Sequence, residues 1–97
     1  MPEPDRVVVR WGEDPRFLQL RIGDRAVIRL SGEAAVIIAA LLDYHVEHVD
    51  QDPFDVHVTP NLTFWLTRTR ARAVAKDLVR FGLVQQQVHP QSRDLAG

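Results

Sequence analysis

The residues best suited to chemistry are cationic and crowded into one stretch. Between Pro60 and Arg80 stand Arg68, Arg70, Arg72, Lys76 and Arg80 against a single acid, Asp77. Such groups on one side of a helix neutralise phosphates, and an arginine in a major groove can grip a guanine edge with two parallel hydrogen bonds. Helical spacing gathers Ala71, Val74, Ala75 and Leu78 on one side of this stretch. Thr69, Ala73, Lys76 and Arg80 centre on the opposite side, flanked by Arg70 and Arg72. Small residues in the first turns permit close approach to another surface, and a helix start adds free N–H groups for phosphate oxygens. The plainer alternative is an ordinary solvated helix face.

Other constellations carry less. His45 and His48 lie one turn apart near Asp52 and His57, but both fall on the apolar side of their helix and no spaced third ligand accompanies them. A structural role is expected for them, and no metal. Trp11 and Trp65 lie on the apolar sides of their elements, so core packing is expected rather than base stacking. Ser31 has no nearby base in sequence and reads as a helix cap. Phosphate loop, dinucleotide fingerprint and paired carboxylates are all missing, so neither an enzyme nor a cofactor is expected.

The elements that must hold the basic stretch follow from periodicity. Arg6 to Trp11, Phe17 to Ile22 and Ala26 to Leu30 alternate as three strands, with turns at Gly12–Pro15 and around Gly23-Asp24. A three-residue loop between the last two pairs Ile22 with Ala26, Leu20 with Ile28 and Leu18 with Leu30, which gives one clean apolar face. It asks Asp24 or Arg25 to take an awkward backbone conformation, and it leaves Arg21 and Arg29 on the wet face. A helix from about Gly32 to His48 follows, capped by Ser31, with hardly any polar face in its first half. It forms the core or a dimer seam.

Beyond it, Asp55 to Val58 reads as a short strand, and Thr59-Pro60 as the start of a helix. At 100° per residue, Leu62, Trp65 and Leu66 centre almost opposite Ala71, Val74, Ala75 and Leu78. That phase change predicts two helices, 60–66 and 69–81, with a bend near Thr67–Thr69, rather than one long helix. Gly82 is placed to end the second. Leu83, Val84 and Val88 then continue as a strand towards a turn at 89–93.

This order of elements resembles the winged helix-turn-helix of MarR-like regulators, and its upstream part is similar to OmpR-type output domains. The likeness runs over about residues 17–88 and rests on loose patterns. It implies an α+β winged-helix fold in one domain, 1–97: an antiparallel sheet over 6–30, a core helix over 32–48, a helix-turn-helix over 60–81 and a short wing over 83–93. Residues 69–80 would be the recognition helix, with three helices in all. Double-stranded DNA would be contacted by Arg68, Thr69, Arg70, Arg72, Ala73, Lys76, Arg80 and the wing residue Arg93. A transcriptional regulator acting as a homodimer is the expected function. A winged-helix adaptor or inhibitor docking on another protein is the alternative, because the net charge is −1 and Ser31–Asp55 holds six acids and no lysine or arginine.

Composition sets the outer bounds. A chain of 97 residues, 45% hydrophobic and 26% charged, makes one small folded domain. The absence of cysteine excludes disulfides and thiolate chemistry. The longest apolar run, Ala34 to Leu42, is about half of the roughly 20 residues that span a bilayer. With no signal pattern at the start, a cytoplasmic protein is expected.

Overall fold

The structure, a computed structural model, describes residues 3–88. Strands β1 (Val7–Trp11), β2 (Leu18–Ile22) and β3 (Ala26–Leu30) form an antiparallel meander. Its register pairs Ile22 with Ala26, Leu20 with Ile28 and Leu18 with Leu30, as the apolar pattern requires. The turn is relieved at Gly23 rather than at Asp24 or Arg25: Gly23 takes φ +50°, and the described residues include no non-glycine with positive φ.

Helix α1 (Gly32–His48) begins where expected, with Ser31 Oγ accepting from the Ala34 N–H at 3.1 Å. A two-stranded hairpin follows, β4 (Phe54–Thr59) and β5 (Leu62–Leu66), and then α2 (Arg68–Val88).

Here the winged-helix expectation fails. The described residues hold two helices and two antiparallel sheets, not three helices with one sheet and a wing. Residues 60–66 are a turn and a strand. Pro60 and Asn61 turn the chain, with Thr59 Oγ1 accepting from the Asn61 N–H at 3.3 Å instead of capping a helix. Phe64 and Leu66 point into the core while Thr63 and Trp65 alternate outward, because Phe64 pairs with Val56 and Leu66 with Phe54. The phase break that predicted a bend is a change of period, from two to 3.6. Gly82 does not end α2, which runs on through Val88 where a wing strand was expected. The rest of the wing, 89–93, lies outside the described residues.

Both sheets turn their apolar faces towards the helices and share one core, in which Leu18, Leu20, Ile22, Leu42, Phe64, Leu66 and Leu78 are fully buried. The sheets meet where the chain enters β1. The Asp5 N–H donates to Trp65 O at 2.7 Å, and Asp5 Oδ2 accepts from the Trp65 N–H at 2.8 Å and from Arg25 Nη2 at 2.9 Å.

The helices run antiparallel, since the start of α1 meets the end of α2. A Cβ on Gly32 would stand 2.6 Å from Gly82 O and 2.5 Å from Gln85 Oε1, so only glycine permits this approach. Ala35, Ala39, Ala71 and Ala75 are buried along the same pair. Ala71 and Ala75 of the basic segment thus serve an internal contact rather than an external one, while Ala73 faces solvent.

Candidate interaction surfaces

Most residues expected to bind DNA belong to α2, but they do not form one surface. Arg68 turns inward. Its guanidinium donates to Val46 O and, at 2.7 Å, to Val49 O, while its N–H donates to Asp52 Oδ1 at 3.0 Å. These bonds satisfy carbonyls at the C-terminal end of α1, where a cation also suits the helix dipole. Thr67, not part of the expected set, caps α2 by accepting from the Arg70 N–H at 3.1 Å.

Thr69, Arg70, Arg72, Ala73, Lys76 and Arg80 are exposed. Arg70 and Arg72 project about 160° apart around the helix axis. Arg80 is held by Asp77 at 2.8 Å and stacks over Phe81. Arg93 lies outside the described residues. Arg72, Lys76 and Arg80 gather at a shallow hollow between the helices, which Asp43 of α1 also lines, with Ala75 and Val79 as its floor.

The outward face of α1 lies beyond Asp43. Glu33, Ile37, Ala40, Tyr44 and Glu47 follow one another at helical spacing, and all are exposed. Ile37 is 63% exposed and Tyr44 58%, while Leu83 on the facing helix is 49% exposed. The outer side of the helix pair therefore carries exposed apolar residues together with an acidic bank on α1 and a basic bank on α2. The acidic segment lies directly beside the cations expected to meet DNA.

On the opposite side, the pleat of the three-stranded sheet directs Arg6 and Arg10 outward with Arg21 and Arg29. The sequence reading singled out only the latter two on this face.

The remaining candidates find structural roles. The imidazole Nδ1 of His45 lies 2.9 Å from Leu41 O and that of His48 2.9 Å from Tyr44 O, so each of these nitrogens carries the hydrogen it donates. The His45 ring stacks on Phe54 and the His48 ring on Tyr44. Among the described residues no three histidine or carboxylate side chains come together as a metal site would need. Neither tryptophan lies in the core. Trp11 is half-exposed against Phe81 at 5.4 Å, and Trp65 lies on the outward side of β5.

Gln85 was missed because it fell in the expected wing. It is buried, accepts from the Gly32 N–H at 2.9 Å and donates to Arg16 O, tying α2 to both α1 and the β1–β2 turn.

Two carboxyls are electrostatically set. Hydrogen bonds from the Arg16 side chain and N–H hold Asp14 down to about 2. Burial pushes Asp5 upward, but bonds from Arg25 and the Trp65 N–H, with the Arg25 charge, outweigh it and hold the carboxyl below its usual range.

No helix among the described residues is long and apolar enough to cross a membrane. No family model, curated protein or solved structure matches the chain.

Proposed function

We propose that the protein is a protein-interaction module that pairs with a second copy of itself through the outer face of its two helices. One observation carries this reading: Ile37, Tyr44 and Leu83 are exposed on a helix-pair face that also carries an acidic bank and a basic one. A two-fold interface is self-complementary, and with its axis parallel to the helices the α1 of one protomer meets the α2 of its partner. Glu33, Asp43 and Glu47 then face the bank of Arg72, Lys76 and Arg80. The 17 residues of α1 make a face about 26 Å long, and two adjacent helices make it about 20 Å wide. Burying that face on both protomers covers about 1,000 Å², the lower bound for a specific interface.

Sedimentation equilibrium tests it. A dimer is expected at micromolar concentration, and Tyr44→Asp, with its folded state verified by circular dichroism, shifts the protein to monomer. A wild type that stays monomeric at millimolar concentration refutes the reading, as does a Tyr44→Asp protein that dimerises normally.

Duplex DNA binding by α2 is a second reading, favoured by the exposure of Arg70, Arg72, Lys76 and Arg80. It ranks lower because Asp43 and Glu47 stand on the same side and repel phosphate. If Arg72 reads a base edge, Arg72→Ala weakens binding to a specific duplex by about 1–3 kcal/mol in a polarisation assay.

A further inference from the structure

We infer that the solvent face of the three-stranded sheet binds the phosphate backbone of double-stranded nucleic acid through Arg6, Arg10, Arg21 and Arg29. This is independent of self-association, which uses the opposite side of the molecule. The three strands contain no acidic residue. Their register puts Arg10, Gln19 and Arg29 in one row and Val8, Arg21 and Val27 in the next, with Arg6 beyond at the start of β1. All four arginines are exposed.

The acids next to the strands in sequence, Glu3, Asp5, Glu13, Asp14 and Asp24, all lie outside them. Asp24 sits 3.8 Å from Arg21 at the β2–β3 turn, while Asp14 is bound to Arg16 and Asp5 to Arg25. Asp14 also feels the charge of Arg29. The cationic centre of the sheet is therefore not neutralised within its own strands.

Geometry selects the partner. Arg6 and Arg10 are separated by about 13 Å along β1, and Arg10 and Arg29 by about 10 Å across two strand spacings. A patch of that size spans a groove about 12 Å wide, so phosphates on both of its banks come within reach of the guanidiniums. The residues between the arginines are Val8, Gln19 and Val27, and the Phe17 ring beside them is already covered by the guanidiniums of Arg29 and Arg16 rather than free for a base, whereas single strands depend on base stacking. A rigid sheet of spaced cations fits a rigid array of phosphates, and the binding it gives is independent of sequence.

Polarisation of a labelled 20-base-pair duplex tests this. At 20 mM salt the wild type is expected to bind, with a log–log salt slope between about −2 and −4, set by up to four phosphate contacts. Arg10→Glu with Arg29→Glu weakens binding at least tenfold, whereas Arg70→Glu, on α2 but turned away from the proposed dimer face, leaves it unchanged. Gln19→Lys adds a cation to the same row and tightens binding several-fold, an effect that a folding defect in the reversal variant cannot mimic. The proposal is overturned by no binding at 20 mM salt, by loss on helix reversal with the sheet variants unaffected, or by no gain from Gln19→Lys. Preference for a single strand of the same length overturns it too, as does binding to anionic lipid vesicles without binding to the duplex.

Discussion

Arg68 illustrates how one side chain can be assigned the wrong task by its neighbours in sequence. It belongs to a cationic run, yet it binds carbonyls of α1 some twenty residues earlier. Arg68→Met should leave Val46 O and Val49 O without this donor and cost about 1–3 kcal/mol, read from thermal denaturation. Lysine restores only part of the loss, because a single ammonium lacks the guanidinium fork. Asp5 gives a pH signature at the same scale. Its folded pKa lies below the usual 3.8, so its contribution is complete above about pH 4 and is lost as pH falls through the folded value. Asp5→Asn should remove that part of the acid limb. In the wild type the Trp65 amide resonance should follow the titration, and an Asn variant with an unchanged acid limb would contradict the assignment.

Among the elements, those with strong local signals agree with the sequence reading. The strand alternation, the Ser31 cap and the limits of α1 are set by residues close in the chain, and the β2–β3 register follows from matching apolar faces. Residues 60–66 were misread because Leu62, Trp65 and Leu66 fit a helical stripe as well as a strand, and Pro60 suits either a helix start or a turn. Pairing with β4, where Val56 and Phe54 cover Phe64 and Leu66, decides for the strand. The start of α2 therefore belongs to Thr67. Thr67→Ala should cost about 1 kcal/mol in urea unfolding, and Thr67→Asp should retain most of the stability. In the middle of α2, Gly82 is tolerated because it lets Gly32 approach. Gly32→Ala should destabilise by about 2–3 kcal/mol, and an unchanged denaturation midpoint would show that the helices can part at no cost.

Over the whole molecule, charge is segregated in space as well as in sequence. Arginines cover the outer sheet face, and acidic and basic banks lie side by side on the helix pair. If the banks pair across a dimer, its dissociation constant should rise with salt between 50 and 500 mM, as sedimentation equilibrium can measure. A constant insensitive to salt would mean that the exposed apolar residues alone hold the copies together. Composition and short-range pattern already specify the three strands, the extent of the first helix, the lack of thiols and the uneven distribution of charge. All of these rest on composition or on neighbours within a few residues. Packing between elements settles the rest: 62–66 is a strand, α2 continues past Gly82, Gln85 is buried and Arg68 faces inward. The strand depends on pairing with β4 across a tight hairpin, and the others on partners distant in the chain: Gly32 for Gly82 and Gln85, and the carbonyl end of α1 for Arg68. Local propensity is too weak to choose between states that long-range burial and hydrogen bonding separate by several kcal/mol.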